Sequence, residues 1–305
     1  MLRILFLLPL FLLAASLRAQ DMPLSQYVIP GEDWQLVSEG HQFTEGPTCD
    51  AKGNVYFVDV PKSHIFRIDA ATNQPSLWME NADKISGLKL GYDGRLYGAQ
   101  GGKKRIVAIE ITADGKPGTQ TSIADDSEPN DLVVTREGVV YWTDMGKKQV
   151  WMADGKGNKK VVDTGIDRPN GVILWPDQKT LVVSEFGGPF AYAFRIEKDG
   201  TLTSKSPYYR LRTPRNKSES QADGMTVDAA GRLYIATAAG LQVFDPIGRM
   251  SGVLLKPQPK FLSNVCFGGP KFDTLYVTCE DKVYARKLKA EGVRYFEPAT
   301  DMKKN

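Results

Sequence analysis

Six copies of one hairpin pattern, spaced by roughly one propeller blade, predict an all-β chain folded as a six-bladed β-propeller with four antiparallel strands per blade. No stretch of helical period competes with that pattern after residue 20. Glu45-Gly46-Pro47 is followed by Gly53 and Tyr56, and the same offsets recur three times. Ser86-Gly87-Leu88 has Gly94 and Tyr97, Asn130-Asp131-Leu132 has Gly138 and Tyr141, and Asp223-Gly224-Met225 has Gly231 and Tyr234. Two copies carry one extra turn residue: Asn170-Gly171-Val172, leading to Leu181-Val182, and Asn264-Val265-Cys266, leading to Leu275-Tyr276. The anchors at 45, 86, 130, 170, 223 and 264 are 40 to 44 residues apart, except for one gap of 53.

Each copy reads as a short strand, a tight Gly or Asp turn and a Tyr- or Val-rich strand. A third strand follows at residues 65–68, 106–109, 150–152 and 241–244. The last copy is too short for a full blade, since little more than 293–296 follows residue 288. The strand-like residues 34–37 precede the first anchor and are expected to complete blade six, closing the ring and removing open sheet edges.

The N-terminus stands apart. Met1-Leu2-Arg3 opens a nearly unbroken apolar run over 4–15, and Ser16, Arg18, Ala19 and Gln20 follow. Residues 1–20 are expected to be a signal peptide, too short for stable membrane insertion, with cleavage near Ala19 or Gln20. The protein is therefore expected to be exported, to the periplasm or the medium, as one domain over 21–305. Losing Arg3 and Arg18 from the 39 basic residues leaves 37 against 36 acidic ones, so charged substrates are not steered from afar. No basic run exceeds three residues, which argues against nucleic acid as a partner. A monomer is expected. Cys49, Cys266 and Cys279 are an odd set in apolar, strand-like surroundings and read as buried free thiols. Only two histidines exist, His41 and His64, neither in a catalytic motif.

Rotation about a propeller axis brings equivalent positions into a ring. The six anchors are Glu45, Ser86, Asn130, Asn170, Asp223 and Asn264, and all six carry a side-chain oxygen. Oxygen donors without His or Cys suit a hard cation such as Ca²⁺ or Mg²⁺, and Glu45 with Asp223 matches its two charges. Asn, Asp and Ser also start turns, which accounts for one or two anchors more readily than for six. Ser86 and Asn264 are the anchors best read as lining residues only.

Glu45-Gly46-Pro47, Pro129-Asn130-Asp131, Pro169-Asn170-Gly171, Ala222-Asp223-Gly224-Met225 and the stretch from Ser263 to Gly269 resemble the gluconolactonase/senescence-marker (SMP-30-like) family, in order and in register, over about residues 40–288. The resemblance implies a propeller with one catalytic divalent metal, Ca²⁺ first, with Mg²⁺, Mn²⁺ or Zn²⁺ as the other candidates. It implies Glu45, Asn170 and Asp223 as core ligands, with Asn130 as a fourth ligand or a substrate contact. The implied reaction opens a small sugar lactone to the aldonic acid, with Asp223 as proton acceptor from water. Where some relatives carry Arg or Ser near the substrate, this chain has Glu128, an acid that would repel anions, bind hydroxyls or face solvent from its loop. Ser86, Gln100 and Asn264 are further candidates for substrate hydroxyls, with Ser86 and Gln100 equally open to serving turns only. Residues 210–221 are polar and basic, and either lie beside the channel mouth or form a solvated loop. An esterase or phosphotriesterase-like hydrolase on this scaffold, or a binding propeller with a structural metal, are the competing functions.

Overall fold

Val55–Asp59 is buried along its whole length, because a middle strand of a blade is covered on both faces by its neighbouring blades. The same holds for Leu96–Gln100, Val140–Asp144 and Leu233–Thr237, which explains why these strands read as apolar runs rather than alternating ones. The structure, a computed structural model, describes residues 23–295. The leader expected over 1–20 lies outside the described residues. Apart from two short 3-10 turns, every regular element described is a strand.

The strands form six antiparallel sheets of four. The innermost strands are Thr44–Cys49, Ile85–Leu90, Leu132–Val134, Pro169–Leu174, Met225–Val227 and Leu262–Gly268. Blades one to five run outward in chain order. Blade six takes three strands from the C-terminal part and its outermost from the N-terminal part: Gln35–Ser38 pairs with Lys282–Lys287, Gln35 opposite Ala285. The closing strand expected at 34–37 is therefore in place.

The core is divided between neighbouring blades. Tyr97, Ala99 and Ile106 of blade two pack against Leu132, Val140 and Trp142 of blade three. Val55, Phe57 and Ile68 of blade one pack against Cys266 and Tyr276 of blade six. Each such contact needs two blades, so no blade buries its faces alone. The recurrent Tyr ties hairpins down: the hydroxyls of Tyr97 and Tyr234 donate to Asp93 and Asp228 at 2.8 and 3.0 Å. The hydroxyl of Tyr141 instead reaches the Gly200 carbonyl of blade four at 2.8 Å. All three cysteines are free, and burial pushes every thiol up, that of Cys49 to about 12, which makes them poor nucleophiles.

One end of the axis is crossed by the C-terminal segment. Gly292 bridges to Asp228, and the Tyr295 hydroxyl donates to the Leu174 carbonyl at 2.6 Å. Tyr295 lies among Lys89, Leu90 and Val134, at the far ends of inner strands.

Candidate functional site

All six anchors come together at the other end of the axis. They form the floor of one cavity of about 330 Å³, where Asp131 joins them. Two glycines make the approach close enough. A Cβ on Gly224 would sit 1.8 Å from Cγ of Asn264, and one on Gly171 would sit 2.3 Å from the Asp223 carbonyl oxygen. Only a bare backbone lets neighbouring inner strands bring their anchors together.

The floor is buried and charged. Glu45, Asn170, Asp223 and Asn264 are each less than a tenth exposed. The Glu45 carboxylate accepts from the Gly46 amide at 2.9 Å and from Nδ2 of Asn264 at 3.3 Å. Burial, and then the charge of Asp131, push its pKa up to about 8. Burial also drives Asp223 well above the carboxylate range, with the Glu45 and Asp131 charges adding to it; bonds from the Gly224 amide and the Asn170 carboxamide only partly offset this. Burial and mutual repulsion thus both oppose full ionisation of this floor.

A divalent cation fits that floor by its donors. Oδ1 of Asn170 is buried without a hydrogen-bond partner. An unpaired acceptor beside two carboxylates that resist ionisation is a donor set that a hard cation completes. Among the described residues no group of three or more His, Cys, Asp and Glu side chains is placed to hold an ion. The donors here are two carboxylates plus carboxamide oxygens, a set that suits Ca²⁺.

The remaining sequence candidates are placed differently. Ser86 lines the floor, but its hydroxyl donates to the Asn130 carbonyl at 2.7 Å. Asn264 turns Oδ1 to its neighbour's amide, Val265, at 2.8 Å. Gln100 is fully buried but does not line the cavity: it donates to the Ala82 carbonyl and accepts from Nε of Arg105. It ends the second strand of blade two, a place held by Asp59 in blade one and Asp144 in blade three. Those two carboxylates accept loop amides, Asp59 from Gln42 and Phe43 and Asp144 from Lys147. Glu128 also lies off the lining, in an exposed pair with Lys104 at 2.8 Å.

Sequence reasoning missed the walls. Phe43, Val60, Met145, Phe186 and Phe261 rise above the polar floor. Val60, Met145 and Phe186 each directly follow the second strand of a blade, a register that could have drawn attention to them. The loop over 210–221 acts at one side of this wall. Its Glu219 pairs with Arg168 at 2.6 Å, the Arg168 guanidinium lies 4.9 Å over the Phe186 ring, and the Gln221 amide donates to the Phe186 carbonyl.

Known proteins resemble this chain in sequence or in fold. A gluconolactonase of Zymomonas mobilis is 25% identical over 85% of this chain and 82% of its own. The pentonolactonase XacC of Haloferax volcanii is 27% identical over 80% of this chain and 84% of its own. Among solved structures, a gluconolactonase from Xanthomonas campestris superposes with a TM-score of 0.72 at 21% identity, covering 86% of this chain and 91% of that one. The calcium-binding protein regucalcin of Agrobacterium tumefaciens gives 0.72 at 16% identity, covering 86% and 95%. The family model described as SMP-30/Gluconolactonase/LRE-like region matches residues 43–281, the whole ring of anchors included, and the chain belongs to that family.

Proposed function

We propose that the chain is a lactone hydrolase that holds one divalent cation, Ca²⁺ first, on Glu45, Asn170 and Asp223, with Asn130 beside them. The observation that carries this is the pair of buried, mutually repelling carboxylates next to the unpaired Oδ1 of Asn170, on the floor of a substrate-sized cavity. The relatives named gluconolactonase and pentonolactonase support a lactone as the substrate.

When bound, a divalent cation supplies Lewis acidity toward a lactone carbonyl and an attacking water. The chain's own residues do the rest. Asn170 and Asn130 offer neutral oxygens and amide donors that orient the lactone ring. Asp223 accepts the proton of the water as its oxygen bonds to the carbonyl carbon. When the ring C–O bond breaks, the proton on Asp223 passes to the leaving alkoxide, giving the hydroxy acid and restoring the carboxylate. Glu45, held by the Gly46 amide and Asn264, contributes charge and position.

The test is a panel of lactones, aryl esters and phosphotriesters, assayed with chelator and after divalent ions are restored. Chelator-sensitive lactone opening is expected. Turnover of aryl esters or phosphotriesters alone would favour the esterase-like reading, and only uncatalysed rates throughout would leave a binding propeller. Residues 1–20 further lead us to propose export. Protein recovered from its host should then begin near Gln20 or Asp21, and a full-length mass would contradict that.

A further inference from the structure

The polar floor of the cavity accounts for one end of a substrate. The wall accounts for the other. Phe43 and Phe261 stack with ring centres 6.0 Å apart, and Phe186 meets Phe261 at 6.2 Å. The three rings make one continuous aromatic surface, drawn from blade one, blade four and the segment entering blade six. Val60 and Met145 extend it round the mouth. Each of these side chains is only half-buried, so a face of each remains for a ligand. Phe186 is also held in place, by the Arg168 guanidinium over its ring and by Glu219 behind that.

Hydroxyl-binding groups are scarce at this height. Among the described residues, no Lys, Arg, His, Gln, Tyr or Trp side chain lines the cavity. The Ser86 hydroxyl is already committed to the Asn130 carbonyl, Gln100 is bonded within its own blade, and Glu128 stands outside with Lys104. The Asn and acidic side chains of the floor can meet hydroxyls near the ring carbonyl, but hydroxyls that reach up to the phenyl faces would lose water without a polar partner there.

We infer that the lactone this site takes carries an apolar substituent, alkyl or aryl, which packs on Phe43, Phe186 and Phe261 while the ring carbonyl meets the floor. The lactone end rests on the proposed function, and the substituent rests on the wall alone. The cavity, at about 330 Å³, has room for a six-membered lactone with a phenyl group. Hydrophobic pockets discriminate by area, so a preference of about 10- to 100-fold over a polyhydroxylated lactone is expected.

The experiment compares two inert lactams by calorimetry on the Ca²⁺-loaded protein, 6-phenyl-2-piperidinone and D-glucono-δ-lactam. The two matching lactones are then compared by turnover. The phenyl lactam should bind at least about 10-fold tighter. Phe261→Ala should erase most of that difference by weakening the phenyl lactam. Phe261→Gln, which fills part of the space with a polar side chain in place of the ring, should do the same. Gluconolactam binding as tightly or more tightly, or neither lactam binding, overturns the inference. A preference for glucono-δ-lactone in turnover overturns it too, while leaving the lactonase reading intact. Tight, Phe261-dependent binding of the phenyl lactam with no turnover of either lactone sustains the inference and removes the lactonase reading instead.

Discussion

Glu45 and Asp223 carry the same charge on one floor, and burial drives both toward their neutral forms, with amide donors holding each, Gly46 and Asn264 on Glu45, Gly224 and Asn170 on Asp223. The proposed mechanism gives them different work, proton transfer to Asp223 and charge and position to Glu45. Removing either charge should weaken the cation. At saturating Ca²⁺, Glu45→Gln should recover much of the lactone-opening kcat, while Asp223→Asn should stay about 10²- to 10⁴-fold slow, the usual cost of losing a general base. Equal recovery would take Asp223 out of proton transfer. The same pair predicts a pH dependence for the ion-free protein. Both carboxylates titrate higher in the folded than in the unfolded chain, Glu45 at about 8 against 4.5. The stability this gives is complete below the unfolded value and is lost as pH rises toward the folded one. Melting temperature without a cation should therefore fall between about pH 5 and 8, and added Ca²⁺ should abolish that fall by displacing the protons. A flat ion-free profile would mean that the two groups do not share one desolvated floor.

At the scale of the strand, the inner strands carry the site because a bare backbone lies just past four of the six anchors. Gly224→Ala would drive a methyl into Asn264, whose Cγ would be 1.8 Å away. Overpacking of this kind costs about 1–3 kcal/mol. Chemical denaturation should show that loss, together with a weaker cation, because Asn264 leans on Glu45. A variant as stable as the parent, with unchanged Ca²⁺ affinity, would show that the inner strands have slack. The anchors were legible in the sequence for a simple reason: rotation forces one register position into one mouth, so a shared oxygen chemistry shows as a repeat. The walls were not. The residue just past the second strand is Val60, Gly101, Met145, Phe186, Ala238 and Glu280 in turn, and no common chemistry marks it. Gln100 looked like a hydroxyl binder because of its type. One residue earlier than the wall register, it instead serves hydrogen bonds of its own blade, where Asp59 and Asp144 hold loop amides. Asp131 stands in the Pro129-Asn130-Asp131 motif, but only the folded ring shows it on the floor beside two other carboxylates.

For the whole molecule, closure sets what the axis can do. Gln35–Ser38 completes blade six, so the ring has no open seam between its first and last blades, and the anchors stay in one plane of approach. The segment that reaches Tyr295 crosses the opposite end of the axis, so the two ends differ: one is packed by this segment and the other carries the ring of anchors. The repeat was fully legible, including the short last blade and the N-terminal strand that completes it. The crossing by Tyr295 was not, because nothing in 293–296 repeats. The most direct measurement is the initial rate of lactone opening by chelator-treated protein as Ca²⁺ is titrated back. The account predicts a rate that starts at the uncatalysed value and levels off at one ion per chain. Full activity before any ion is added, or no activity once the site is saturated, would contradict it.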